Sequence, residues 1–493
     1  MIPLIERAFQ FPSRTAVVDR GNKFNYQDLL ERSAAIAQSL LGEQKDLNQQ
    51  RVAFIVNPSY DYLAVQWGIW RAGGIAVPLC TSYPFPSLQY VIEDTQASFL
   101  IVAPEFEETL SPYQKSQTLT YLSTRDLQNY PTGALPDINP NRGAMILYTS
   151  GTTSLPKGVL STHQTISAQI KSLVEAWNWS EKDHILSILP LHHVHGIINV
   201  NSCALWSGAT VEFLPQFDPA KVFEIFCQGE VNVFMAVPTI YFKLIAFYET
   251  LPSSKQEEIQ NALKKFRFMV SGSAALPVSV MEKWKSISGH TLLERYGMTE
   301  IGMAISNPYD GERRPGHIGQ PLPGVSVRLC DENGKEVPAG TAGEIQVKGE
   351  TVFSEYWGKP EATAKAFTPD GWFKTGDIAI VEEGYYRILG RDSVDIIKSG
   401  GYKISALEIE EKIRAHEAVK DCGVVGIPDE EWGEKVVAAL VADPNVDISE
   451  LKNWLRAQLP SYKIPKEFLF LDELPRNALG KVTKNELKKR FNS

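Results

Sequence analysis

Tyr148-Thr149-Ser150-Gly151-Thr152-Thr153-Ser154-Leu155-Pro156-Lys157-Gly158 is the stretch that decides how the rest of this chain is read. It follows an apolar run over residues 144–147, which has the character of a buried strand. The loop combines five Ser and Thr hydroxyls, two glycines and a lysine. Glycine lets backbone N–H groups approach an anion, hydroxyls donate to phosphate oxygens, and lysine adds charge. The pattern G-x-x-x-x-G-K-[ST] is absent, so this is not a Walker loop; the composition suits phosphate binding, with a polar surface loop as the alternative.

Around the loop, short apolar runs alternate with amphipathic segments from about residue 50 to 330. Residues 51–56, 210–214, 231–237 and Phe268–Ser271 read as strands, and residues 60–72 and 221–227 as helices. Such alternation predicts an α/β protein with parallel sheets covered by helices. From about 325 the texture changes. Val325–Cys330, 343–348 and 385–389 are short strands between Gly- and Asp-rich turns, which predicts a small, mostly antiparallel, barrel-like region over about 325–390. A compact α+β tail follows, with Ser405-Ala406-Leu407-Glu408 as a capping box opening a helix to about 414. Strands near 423–425 and 436–441 and a helix over 449–459 complete it. The expected division is a large domain at 1–392 and a small mobile domain at 393–493, joined by a tight turn at Ser393.

At 493 residues the chain exceeds one ordinary domain. A formal charge of −9 argues against a nucleic-acid partner. The five cysteines are far apart, with no C-x-x-C pair, so a reducing compartment is expected. No run approaches the length of a membrane span, and no secretory or Arg-rich transit segment is visible, which makes cytoplasmic the expectation. Monomer and homodimer are equally compatible with the sequence.

The phosphate loop resembles that of the adenylate-forming superfamily, which comprises acyl-CoA synthetases, luciferases and peptide-synthetase adenylation domains. Further motifs of that family follow in order. They are Ser271-Gly272-Ser273-Ala274-Ala275, Arg295-Tyr296-Gly297-Met298-Thr299-Glu300, Trp372-Phe373-Lys374-Thr375-Gly376-Asp377, Gly390-Arg391, Lys398-Ser399-Gly400-Gly401-Tyr402-Lys403, and Pro475-Arg476-Asn477-Ala478-Leu479-Gly480-Lys481. The resemblance covers nearly the whole chain. It implies ATP, Mg2+ and coenzyme A, with a carboxylic acid joined first to AMP and then to a thiol.

A carboxylate reacts poorly with a thiol because its leaving group is poor; conversion to a mixed anhydride makes AMP the leaving group. Charge then develops on several phosphate oxygens, which a magnesium ion and a lysine would stabilise. The resemblance gives Glu300 and Thr149 to the metal, and Lys481, Glu300 and Thr149 to catalysis. Nucleotide contacts fall to Thr149, Ser150, Gly151, Thr152, Thr153, Lys157, Ser273, Ala274, Ala275, Arg295, Tyr296, Gly297, Met298, Thr299, Asp377, Ile388, Arg391 and Lys481. Tyr296 would stack on adenine, and Asp377 would accept from the ribose hydroxyls. Lys398, Ser399, Gly400, Gly401 and Lys403 would line the thiol tunnel, and Ser393 would be the hinge.

The acyl side is expected at His193, His195, Ser271, Gly272 and Arg295. Relatives that activate aromatic or fatty acids usually carry glycine where this chain has Arg295. An arginine there would shorten the pocket and offer a fork for a second carboxylate, or else form a structural salt bridge with Glu294 or Glu300. His193-Val194-His195-Gly196 together with Leu293-Glu294-Arg295 is similar to the malonate–CoA ligases, implying malonate or methylmalonate. A monocarboxylate substrate, a carrier-protein thiol as acceptor, and a non-catalytic sensor are the competing readings.

Overall fold

The computed structural model describes residues 1–127, 133–149, 156–399, 402–443, 446–476 and 482–491, without the side chain of Lys403. Two large sheets dominate. A nine-stranded sheet runs in the order Gln320–Pro321, Gly302–Ser306, Leu293–Met298, Phe268–Ser271, Val233–Ala236, His184–Ser187, Thr210–Phe213, Thr15–Asp19 and Asn22–Asn25. A seven-stranded sheet runs Glu355–Tyr356, Lys157–Thr162, Gly143–Thr149, Ile75–Pro78, Arg51–Ile55, Phe99–Val102 and Thr120–Ser123. Their central pairs are parallel, as the alternating sequence predicts.

Strand alternation builds the layers. Val52 and Phe54 of one sheet and Val233, Met235, Phe268 and Val270 of the other join a single core. Helices Tyr26–Leu41, Tyr60–Arg71 and His163–Ala176 contribute to that same core, so the two sheets share a helical layer. The opposite faces have cores of their own. Phe234 and Met269 pack under helices Pro219–Gln228, Pro238–Glu249, Ser253–Leu263 and Val278–Ser288, and Ala53 and Ile55 under Phe85–Asp94. Strands buried on both faces are mostly apolar, which is why Ile75–Pro78 and residues 268–270 read as continuous apolar runs.

The antiparallel region is a four-stranded sheet ordered Val325–Cys330, Gly343–Gly349, Phe373–Glu382 and Tyr385–Arg391. Its path is open, so it is barrel-like without being a closed barrel. The chain then turns at residues 391–395, where the Arg391 carbonyl accepts from the N–H groups of Val394 (3.1 Å) and Asp395 (2.7 Å). Beyond lies a small five-stranded sheet with helices Ala406–Arg414, Ile448–Arg456 and Lys484–Phe491. Lys484, nearly buried, sits 2.6 Å from Asp395 and 2.7 Å from Glu410, tying the last helix to the turn. The capping box is only half formed. Ser405 accepts from the Glu408 N–H, but the Glu408 carboxylate is drawn away to Lys463 at 2.7 Å, a partner 55 residues distant.

Gly319 fastens the four-stranded sheet to the nine-stranded one. It has φ of +97°, its carbonyl accepts from the Tyr386 N–H at 2.8 Å, and a Cβ there would lie 2.0 Å from the Ser306 carbonyl oxygen. Gly324, with φ of +76°, has open space around the same position. Gly319→Ala should therefore cost about 3 kcal/mol in urea unfolding, and Gly324→Ala about 1 kcal/mol. Equal losses would show that backbone strain alone, and not the close approach, matters at Gly319.

Candidate active site

The strand Leu293–Met298 and the hairpin turn after it gather the site. Neighbouring side chains on a strand point to opposite faces, so Arg295 and Tyr296 serve different compartments, while Glu300 sits at the hairpin tip. Gly297 makes the tight hairpin possible, because a Cβ there would stand 2.1 Å from the Gly302 carbonyl oxygen.

On the Arg295 side, the guanidinium lies against Gly272, where a Cβ would fall 2.6 Å from both Cζ and Nε. Arg295 is 3% exposed and donates weakly to Ser273 Oγ at 3.3 Å; its Nε has no hydrogen-bond partner. Ser273 Oγ also lies 3.1 Å from His195 Nδ1, and Ser271 is fully buried beside them. Ser273 holds φ of +69°, a strained value for a residue with a Cβ, as the chain turns out of the Phe268–Ser271 strand. Among the described residues Arg295 has no ion pair, so the salt bridge to Glu294 or Glu300 does not form. Glu294 instead accepts from the Leu276 N–H at 3.0 Å, and burial pushes its carboxyl up to about 8, so it is largely neutral at pH 7. Burial pushes Arg295 down to about 9, and His195 is held well below the usual histidine value by burial and then by Arg295. His195 is thus neutral beside the Arg295 guanidinium. His193 lies on the same segment, and its ring is 4.0 Å from that of His192, which burial lowers to about 4.

On the other face, the Tyr296 hydroxyl donates to Asp377 Oδ2 at 2.6 Å, and Arg391 Nε donates to Asp377 Oδ1 at 3.1 Å. Asp377 and Arg391 face each other directly across adjacent strands. Both Asp377 oxygens are therefore engaged by protein, leaving one lone pair on each for an incoming hydroxyl. Ile388, half-buried, is on the same strand as Arg391. Ala274 and Ala275 are exposed beyond Ser273, and Met298 and Thr299 are half-buried at the hairpin.

At the hairpin tip, Glu300 is 5% exposed. Its Oε1 accepts from the Tyr356 hydroxyl at 2.9 Å, while Oε2 is buried with no hydrogen-bond partner. Burial pushes this carboxyl upward, and the Tyr356 hydroxyl works against that. Among the described residues no three His, Cys, Asp or Glu side chains cluster as a metal cage. One free carboxylate oxygen suits magnesium, which binds through a carboxylate or two and substrate phosphates. Thr149 ends the Gly143–Thr149 strand, and Lys157 opens the next one directly opposite it.

Ser150, Gly151, Thr152, Thr153, Gly400, Gly401 and Lys481 lie outside the described residues, as does the Lys403 side chain. Lys398 is exposed and Ser399 buried on the strand after the turn, and Ser393 is exposed within the turn. The sequence reading missed Tyr356. The contact spans 56 residues, and nothing in the spacing of Glu355-Tyr356-Trp357 points to the Glu300 hairpin.

Comparison with known proteins follows this geometry. The model of the AMP-binding enzyme family matches residues 4–357, and that of the AMP-binding enzyme C-terminal domain matches residues 408–481. The chain is 45% identical to the mitochondrial malonate–CoA ligase ACSF3 of Xenopus laevis, over 99% of this chain and 91% of that protein. It is 44% identical to the human protein of the same name, over 99% and 92%. The crystal structure of ATP-bound MatB from Rhodopseudomonas palustris superposes with a TM-score of 0.91 at 34% identity, over 100% of this chain and 99% of that one. With both family models matched in order on one chain, the protein belongs to the AMP-binding enzyme family.

Proposed function

We propose that this protein is a malonate–CoA ligase, joining malonate to coenzyme A through a malonyl adenylate. The observation that carries the substrate is Arg295, a buried guanidinium with no carboxylate partner among the described residues. A buried charge needs a counter-charge and hydrogen bonds, and a small dicarboxylate brings one. Its second carboxylate meets Arg295 while the first reacts. Relatives that carry malonate in their names support the same substrate.

In the first step an oxygen of the reacting carboxylate attacks the α-phosphorus of ATP, and the bond to the β-phosphate breaks to release pyrophosphate. In the second the sulfur of coenzyme A attacks the acyl carbon, the thiol proton is lost, and AMP leaves. Tyr296 packs against the adenine, and Asp377, oriented by Tyr296 and Arg391, receives the ribose hydroxyls. Thr149, Ser150, Gly151, Thr152, Thr153 and Lys157 hold the phosphates, and Lys481 bridges the reacting carboxylate and the α-phosphate. Glu300 and Thr149 would hold magnesium, which supplies charge neutralisation on the phosphates. The domain division falls between residues 392 and 393. Rotation about Ser393 exchanges Lys481 for the Lys398–Lys403 segment, whose Lys398, Ser399, Gly400, Gly401 and Lys403 line the thiol path.

Among the described residues no helix is long and apolar enough to cross a membrane. Five free thiols suit a reducing compartment, as the cytoplasm is.

AMP formation with ATP, magnesium and coenzyme A, measured across acetate, malonate, methylmalonate, succinate and octanoate, tests the assignment. Malonate should lead in kcat/KM, with methylmalonate next, since one methyl group discriminates by only about 1–3 kcal/mol. A preference for acetate or octanoate would sink the dicarboxylate pocket.

Arg295→Gly should lower kcat/KM for malonate about 10- to 100-fold, the worth of a charge-assisted hydrogen-bonded pair, and admit longer monocarboxylates. An unchanged acid profile would remove Arg295 from recognition.

Lys481→Ala should slow adenylate formation roughly 100- to 1,000-fold while leaving thiolysis of supplied malonyl-AMP largely intact. Equal loss of both half-reactions would contradict its assigned role.

A further inference from the structure

We propose that Tyr356 is a positioning residue for the adenylation step, with its hydroxyl aiming the Glu300 carboxylate and its ring seating Lys157. One side chain thereby keeps the metal side and the phosphate-loop side of the triphosphate site in register. The inference rests on the adenylation reading above and concerns a residue outside the sequence motifs.

Tyr356 is 8% exposed and lies on the short strand Glu355–Tyr356. That strand pairs antiparallel with Val159 and Leu160, on the strand that leaves the phosphate loop. The surrounding backbone is stitched on both sides: Trp357 N–H donates to the Gly158 carbonyl at 2.8 Å, and Phe353 N–H to the Glu300 carbonyl at 2.7 Å. Packing of Tyr356 against Phe353, with ring centroids 4.8 Å apart, fixes the ring plane. From this mount the hydroxyl reaches Glu300 Oε1 at 2.9 Å, while Lys157 Nζ lies 4.8 Å from the ring centroid.

The two contacts use different parts of the residue. With Oε1 engaged by the hydroxyl, the oxygen of Glu300 left without a partner is the buried Oε2. A ligand oriented in this way loses less freedom when a cation binds, and removing such an orienting partner typically weakens metal affinity about 10- to 100-fold. The ring face attracts the Lys157 ammonium by its quadrupole, which a phenylalanine would preserve and a leucine would not.

The test is ATP binding by calorimetry to the full chain, with and without magnesium and without acid or coenzyme A, for wild type, Tyr356→Phe and Tyr356→Leu. In Tyr356→Phe, metal-free ATP affinity should be unchanged, while the gain in affinity conferred by magnesium should shrink about 10-fold. Half-saturating magnesium for acid-dependent pyrophosphate release should rise in parallel. Tyr356→Leu should also weaken metal-free ATP binding. Combining Tyr356→Phe with Glu300→Gln should be no worse than Glu300→Gln alone, because the hydroxyl acts through Glu300. An unchanged magnesium effect in Tyr356→Phe, additive losses in the double variant, or equal losses with and without metal would each overturn the inference. Acid-dependent pyrophosphate release by the wild type reports separately on the adenylation reading.

Discussion

A guanidinium withdrawn from water without a carboxylate to meet it is strongly unfavourable; leaving one charge of a buried pair uncompensated costs about 3–5 kcal/mol. This chain holds Arg295 in that state, against a glycine, with Ser273 as a weak partner and a neighbouring glutamate that burial keeps largely protonated. Much of the surrounding architecture follows from keeping it there. Gly272 leaves room for the guanidinium, Ser273 accepts a left-handed backbone to bring its hydroxyl round, and His195 is kept neutral beside it. A site arranged so that its own charge is unanswered is arranged for a ligand that answers it.

The same strand divides its contacts between two faces by alternation. Arg295 meets Ser273 on one face, Tyr296 meets Asp377 on the other, and the hairpin after them carries Glu300 to Tyr356. Under the proposed roles, acyl, nucleoside and metal contacts fall within six consecutive residues, so that one rigid element would set all three. The opposing pair Asp377 and Arg391 comes from the four-stranded sheet, and Arg391 opens the turn into the small C-terminal sheet. Arg391, the partner of Asp377, is thus two residues before Ser393 in that turn.

What the sequence made legible was whatever depends on local pattern. Apolar runs such as Ile75–Pro78 announced strands buried on both faces, and the run over 144–147 announced another buried strand. Arg295 stood out because its position calls for a small residue in relatives with bulky acids. What stayed hidden was long-range pairing. Nothing near Ser405 shows that Glu408 is claimed by Lys463, which leaves the capping box half made. Tyr356 likewise carries no local mark of its bond to Glu300, and Lys484 gives no sign that it is buried between Asp395 and Glu410. Side-chain contacts across 50 residues or more are settled by tertiary packing, to which a hydrophobic period is blind.

The most direct measurement is a crystal structure of the protein with a non-hydrolysable malonyl-adenylate. The account predicts the free carboxylate within about 3 Å of the Arg295 guanidinium nitrogens, the distance of a charge-assisted hydrogen bond. A free carboxylate turned to solvent or held by another cation, with Arg295 still unpaired, would contradict it.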